Sequence, residues 1–166
     1  MAGIESGIPL TRGVLVVEKA LCSACRTCES VCAVFHHGVA DPGLSRIQVT
    51  ADFLNIEFSP KTCYQCTDPL CLQACPSDAI HVDPKTGARV INADECIGCE
   101  ACIDACGEYF QPPRVRLDAA RQVAIKCDLC SGDPQCVRFC PTGALRYEYS
   151  ESGIQSGHPV KEKEHA

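Results

Sequence analysis

This 166-residue chain has no tryptophan, one methionine, five phenylalanines and four tyrosines, so a conventional core of large apolar side chains would be thin. A chain this poor in such residues needs staples of another kind. No apolar run is long enough to cross a bilayer, the longest near the N-terminus being Val14 to Val17. No twin-arginine pair precedes that run, and Met1 to Gly13 shows no charged segment followed by an apolar stretch of export-signal length. These absences lead us to expect a soluble, cytoplasmic protein in a reducing, anaerobic setting. Basic runs are missing too, and 15 Lys and Arg against 21 acids give a formal charge of −6, which argues against a nucleic-acid footprint. Docking onto protein is the expectation instead. There is no Gly-rich phosphate loop, no GxGxxG after a strand and no nucleophile elbow.

Cysteine is what the chain has in excess. Its sixteen cysteines form four quartets: Cys22, Cys25, Cys28 and Cys32; Cys63, Cys66, Cys71 and Cys75; Cys96, Cys99, Cys102 and Cys106; Cys127, Cys130, Cys136 and Cys140. None is left over. A disulfide framework belongs to secreted domains, which the missing export signal disfavours. Structural zinc takes four thiolates as two well-separated CxxC pairs. Here the run is CxxCxxCxxxC, in which three thiols wind around one centre and the fourth leaves on the next helical turn. That is the iron–sulfur run of bacterial ferredoxins, and two quartets carry its closing proline, at Cys75-Pro76 and Cys140-Pro141. No CxxC is followed by histidine, which excludes a covalent haem. The expected cofactors are four [4Fe–4S] clusters, with metal ligation becoming folding free energy.

The repeat also sets the modules. Ala79 to Asn92 holds two short alternating runs around Asp83-Pro-Lys-Thr-Gly87, a β-hairpin signal between quartets two and three. Residues 60–110 therefore look like an inner two-cluster ferredoxin module. Strand-like segments at Gly13 to Lys19, Arg46 to Thr50 and Ala144 to Tyr149 suggest an outer module built from 13–59 and 111–149, with Pro112-Pro113 at the boundary. Short helices are expected over Val31 to Val39 and Asp104 to Phe110. Residues 150–166 read as a polar, unpatterned tail. The expected fold class is α+β: two nested ferredoxin-like modules with short helices and hairpins around the clusters.

In two-cluster ferredoxins the fourth cysteine of a run serves the other cluster. On that rule Cys63, Cys66 and Cys71 take Cys106; Cys96, Cys99 and Cys102 take Cys75; Cys22, Cys25 and Cys28 take Cys140; and Cys127, Cys130 and Cys136 take Cys32. A serial pairing, one with two and three with four, remains the alternative. Quartets two and four insert extra residues before the third cysteine, each insert containing Asp-Pro.

From Val14 to Tyr149, the four-quartet pattern resembles the four-cluster electron-transfer subunits of molybdenum and tungsten oxidoreductases and related hydrogenase complexes. In that family the crossed exchange of fourth ligands is the rule, which the resemblance carries onto these sixteen cysteines. More narrowly, Cys22-Ser-Ala-Cys-Arg-Thr-Cys-Glu-Ser-Val-Cys32, Phe35-His36-His37 and Leu44-Ser-Arg-Ile47 are similar to the small iron–sulfur subunit of tungsten-pterin enzymes, the aldehyde oxidoreductases and class II benzoyl-CoA reductases among them. The resemblance implies a non-catalytic relay subunit, bound to a larger catalytic oxidoreductase chain and meeting a further redox partner. A free polyferredoxin and a zinc-stapled interaction module are the competing expectations. Among the other residues, His36 and His37 suit hydrogen bonds to cluster sulfur or an exposed helix face equally, and His81 reads as structural. Tyr64, Phe35, Phe139 and Tyr109-Phe110 sit beside ligands as water-excluding or packing groups. Lys61 and Lys126 read as counter-charges to an anionic cluster or as solvated surface.

Overall fold

In the computed structural model, which describes residues 7–157, regular structure is confined to short pieces hung between the cysteines. Eight strands make four separate two-stranded antiparallel sheets. Strand β1 (Thr11–Val17) pairs with β8 (Leu145–Ile154), and β2 (Gln48–Asp52) with β3 (Glu57–Lys61). Strand β4 (Ile80–Val82) pairs with β5 (Arg89–Ile91), and β6 (Val115–Asp118) with β7 (Val123–Lys126). Four helices, α1 (Thr27–His37), α2 (Leu70–Gln73), α3 (Ala101–Gly107) and α4 (Gln135–Arg138), complete an α+β fold. They pack in two pairs, α1 on α4 and α2 on α3.

The β4–β5 hairpin forms where the Asp-Pro-Lys-Thr-Gly turn places it. Asp83 accepts hydrogen bonds from the Lys85 and Thr86 amides and from the Thr86 hydroxyl, which shapes the turn. Gly87 closes it at φ +69°, where a Cβ would stand 2.5 Å from the Leu10 carbonyl oxygen. The expected helices over Val31 to Val39 and Asp104 to Phe110 begin earlier. Arg26 (φ 58°) and Glu100 (φ 62°) already act as the left-handed N-caps, so both helices start inside the ligand run. Each helix thus carries the third and fourth cysteines of its quartet. Helix α1 stops at Gly38, whose φ of 75° suits a glycine C-cap.

Two hairpins, β2–β3 and β6–β7, were not read from the sequence. Strand β7 is buried along its whole length and so lacks the alternation that marks a half-buried strand. The polar tail over 150–166 is corrected in its first part. Strand β8 runs on to Ile154, which pairs with Thr11, and Ser156 then exchanges hydrogen bonds with Thr67. A two-stranded ribbon exposes much of both faces, so polar composition does not preclude it. Residues 158–166 lie outside the described residues.

Cysteine supplies much of the core: five of the eleven buried residues in the larger apolar cluster are Cys28, Cys32, Cys63, Cys127 and Cys136. Leu15, Ile47, Val49, Ala88, Leu129 and Leu145 fill the rest. Glu29, buried on α1, accepts a 2.7 Å hydrogen bond from the Val49 amide and faces Arg26 Nε at 2.9 Å, pinning α1 to β2. Glu29→Ala leaves that amide without a partner and is expected to cost about 2 kcal/mol. Glu29→Gln, which keeps an acceptor, should cost less. The guanidinium midpoint of the circular dichroism signal reads both; equal midpoints for Glu29→Ala and wild type would refute the pin.

Candidate metal centres

The sixteen cysteines are all free thiols, and four cavities collect them four at a time. One cavity is lined by Cys63, Cys66, Cys71 and Cys106. A second is lined by Cys127, Cys130, Cys136 and Cys32. A third holds Cys22, Cys25, Cys28 and Cys140, and a fourth Cys96, Cys99, Cys102 and Cys75. Each lining takes three thiols from one quartet and the last thiol of another.

Helix geometry explains the crossing. The third and fourth cysteines are four residues apart on one helix or at its end, so they share a face one turn apart, and a helix running alongside two neighbouring cavities offers one thiol to each. Helix α3 gives Cys102 to one cavity and Cys106 to the next, and α1 divides Cys28 and Cys32 in the same way. The two middle cavities meet at Lys126, which feels the charge of both Cys63 and Cys127. The cavities therefore follow one another in a single order, with that of Cys75, Cys96, Cys99 and Cys102 at one end and that of Cys22, Cys25, Cys28 and Cys140 at the other. The two exposed thiols, Cys25 and Cys99, belong to the two end cavities.

Every quartet uses one backbone device. The residue two after its first cysteine has positive φ: Ala24 (57°), Gln65 (54°), Gly98 (69°) and Leu129 (61°). Such a turn points successive amides toward one centre, the geometry of an anion nest. One amide of such a turn reaches sulfur, Gln65 to Cys63 at 3.4 Å, and amides from outside the turns reach three more, Arg46 to Cys32 at 3.3 Å, Arg114 to Cys106 at 3.1 Å and Ala124 to Cys96 at 3.3 Å. The Cys-Pro steps share a second device: the Ser77 and Thr142 hydroxyls lie 3.7 and 3.8 Å from Cys75 and Cys140 Sγ. The matching segments Cys75-Pro-Ser-Asp-Ala79 and Cys140-Pro-Thr-Gly-Ala144 are the sequence signal for it. Burial opposes the thiolate at Cys75 and Cys140, yet the hydroxyls and nearby amides hold both below the ordinary thiol range. Deeper thiols behave oppositely. Burial pushes Cys28, Cys71 and Cys127 up to about 12, and Cys102 and Cys130 to about 11. A bare chain would keep them protonated; a metal would displace those protons.

Buried cations face these thiols. Arg89 and Lys126 are both buried and line the cavity of Cys63, Cys66, Cys71 and Cys106. Burial would depress the Lys126 ammonium, but Cys63, Cys71 and Cys127, once ionised, hold it above its usual range. Its Nζ donates to the Arg89 and Cys127 carbonyls. Arg89 Nε and Nη2 have no hydrogen-bond partner among the described residues. Gln65, which the cysteine pattern does not single out, bridges the middle: it donates to the Cys127 carbonyl at 2.8 Å and accepts from the Arg89 amide at 2.8 Å.

The other singled-out residues divide. Tyr64, Tyr109 and Phe110 line the same cavity, Tyr64 and Phe110 with ring centres 5.0 Å apart. Phe35 and Phe139 are exposed, and His81 is exposed on β4. Lys61 is half-buried and His37 lines no cavity described here. His36 lines the second cavity, its Nε2 3.7 Å from Cys130 Sγ and 3.5 Å from Asp128. Burial and the Arg46 charge lower its pKa to about 4, so the ring is neutral near pH 7. Asp128 is held by Arg46 at 2.6 Å.

Comparison with known proteins agrees with this chemistry. A family model described as a 4Fe-4S dicluster domain matches residues 54–149. The chain is 46% identical over 127 residues to the polyferredoxin-like subunit of an aliphatic sulfonate oxidoreductase from Pyrococcus furiosus, covering 76% of this chain and 70% of that one. It is 33% identical over 135 residues to the beta subunit of NADH-dependent phenylglyoxylate dehydrogenase from Aromatoleum evansii, covering 80% of this chain but 29% of that one. Its fold is like that of a chain in the active site complex BamBC of benzoyl coenzyme A reductase with 1,5-dienoyl-CoA, with a TM-score of 0.51, 22% identity, and 93% and 83% of the two chains covered.

Proposed function

Because the chain belongs to the 4Fe–4S dicluster domain family, we propose that it is the non-catalytic electron-transfer subunit of a larger oxidoreductase, holding four [4Fe–4S] clusters in a row. The ligand sets of this proposal are Cys22, Cys25, Cys28 and Cys140; Cys127, Cys130, Cys136 and Cys32; Cys63, Cys66, Cys71 and Cys106; and Cys96, Cys99, Cys102 and Cys75. The observation that carries it is the succession of four thiol-lined cavities with an exposed thiol at each end. The donor set fits the cofactor. Thiolate is what iron–sulfur clusters take, backbone amides already reach four of the sulfurs, and buried Arg89 and Lys126 answer an anionic group. When bound, each cluster takes up and returns one electron. The chain's own part is to hold and insulate: four thiolates per site leave no open position for substrate, and Tyr64, Tyr109 and Phe110 keep water from one middle site. Nested modules, residues 60–110 inside 13–59 and 111–149, belong to the same proposal.

The partner we propose is a tungsten-pterin catalytic subunit in a permanent hetero-oligomer, with a second redox protein at the far end of the line and a cytoplasmic, oxygen-free setting. The named relatives, two of them subunits of oxidoreductases, support a catalytic partner. So does the tip of the β2–β3 hairpin, where Phe53, Leu54 and Ile56 are 81%, 95% and 78% exposed. Asp52 braces that turn by accepting from the Leu54 and Asn55 amides. With Asp52 and Glu57 at its root, the tip suits an apolar pocket with a basic rim rather than an anionic lipid surface. Among the described residues no helix is long and apolar enough to cross a membrane. Affinity purification of the tagged chain from its native host under argon tests the assignment. A brown complex containing tungsten, pterin and a larger chain is expected; a brown species at the size of the lone chain would leave a free polyferredoxin.

A further inference from the structure

The four cavities differ in the charge of their walls. Arg89, Arg114 and Lys126, all buried, line the cavity of Cys63, Cys66, Cys71 and Cys106, against one carboxylate, Asp68. The neighbouring middle cavity has Arg46, neutralised by Asp128 at 2.6 Å, and the neutral His36. At the ends, the cavity of Cys22, Cys25, Cys28 and Cys140 has Arg26 alone, turned to Glu29 at 2.9 Å. The cavity of Cys75, Cys96, Cys99 and Cys102 has only Glu100. Resting on the electron-transfer assignment above, we infer that the cavity of Cys63, Cys66, Cys71 and Cys106 is where the relay stores its electron: of the four clusters, the one held there is reduced first.

Reduction adds one negative charge to a buried site, and fixed charges close by decide its cost. Lys126 is tied by two carbonyls and cannot swing to water. Arg89 donates to the Gly87 carbonyl at 2.7 Å, and the Arg114 guanidinium lies 5.6 Å from the Tyr64 and Phe110 ring centres. Two other effects do not choose this site. Burial opposes added charge at both middle cavities alike, and against the end cavities, each with an exposed thiol, the wall cations have to outweigh it. Amide-to-sulfur contacts of 3.1 to 3.3 Å occur in three of the four. Wall charge remains, and only one cavity has a surplus of cations. The step is simple: a one-electron reductant of the dithionite or ferredoxin class gives one electron, no bond forms or breaks, and no proton moves. An electron so placed sits inside the line, one site from the Cys99 end and two from the Cys25 end.

The test is a stepwise anaerobic dithionite titration of the iron-replete chain, followed by electron paramagnetic resonance. Cys66→Ser should change the line shape of the first signal to appear, whereas Cys25→Ser and Cys99→Ser should not. Lys126→Met should lower the reduced-to-oxidised ratio of that signal at a fixed poise about tenfold, a shift of about 59 mV for one electron. Lys126→Arg should restore it, which a merely structural lysine would not require. Arg89→Met should shift it the same way and serves if Lys126→Met does not assemble. A first signal altered by Cys25→Ser or Cys99→Ser overturns the inference. So do iron-replete cation variants with an unshifted first signal. If no cation variant assembles, the serine series alone decides. A chain without iron would defeat the cofactor proposal, and a missing catalytic partner the subunit proposal, while the order of reduction is read on the chain by itself.

Discussion

Anaerobically prepared protein is expected to carry on the order of sixteen iron and sixteen sulfide per chain, and to lose its fold when they are stripped. Much of the larger buried cluster is cysteine, and among the described residues no sheet has more than two strands. Two-stranded sheets are marginal in water without something to pack on. Without clusters the middle of the chain would hold protonated thiols beside two buried cations, Arg89 and Lys126, a costly arrangement. The left-handed turns at Ala24, Gln65 and Leu129 add a further cost, about 1 kcal/mol each for residues bearing a Cβ. Iron and acid-labile sulfide assays, with circular dichroism before and after treatment with oxidant and chelator, measure both halves. Zinc in place of iron, about half the iron, or a stripped chain with unchanged ellipticity would each contradict the expectation.

Cys140→Ala should release Cys22, Cys25 and Cys28, and leave Cys127, Cys130 and Cys136 protected. Cys140 lines a cavity with the first trio, at the far end of α4 from the second. Cys32→Ala should do the reverse, since Cys32 lines the cavity of Cys127, Cys130 and Cys136 and receives the Arg46 amide at 3.3 Å. Each variant is expected to lose up to about four iron of sixteen, because losing one of four thiolates exposes a corner of the cluster. Brief alkylation under argon followed by peptide mapping tells which thiols were freed. Labelling of Cys127 and Cys130 in Cys140→Ala would establish the uncrossed arrangement and sink the proposed ligand sets.

How far the fold was legible follows from what each element depends on. The family was legible because ligation chemistry tolerates no substitute for a thiolate, so spacing alone carries the signal. The β4–β5 hairpin was legible from Asp83 to Gly87, whose turn chemistry is local. Strand β7 was not, since burial on both faces erases alternation, and neither was the extension of β8, whose partner lies over 130 residues away at Thr11. Helix starts at Thr27 and Ala101 were misplaced because the ligand loop itself supplies the caps. Gln65 and Arg89 carry no motif; their roles arise only when two distant segments are brought together. Lys126 was noticed as a neighbour of Cys127, but nothing local says that it is buried between two thiol sets.

The pairing of β1 with β8 has a consequence for how the protein is made. The first and last strands meet, and two of the four thiol groupings draw on the segments next to both of them: Cys22, Cys25 and Cys28 with Cys140, and Cys127, Cys130 and Cys136 with Cys32. With the proposed ligand sets, the segment from Cys63 to Cys106 emerges during synthesis with all eight of its thiols present, whereas Cys22 would wait more than a hundred further residues for Cys140. The thiols made first would then be among the last to be satisfied. Their long exposure in a nascent chain would make the N-terminal quartet, rather than the middle of the molecule, the place where oxygen does damage before the protein is finished.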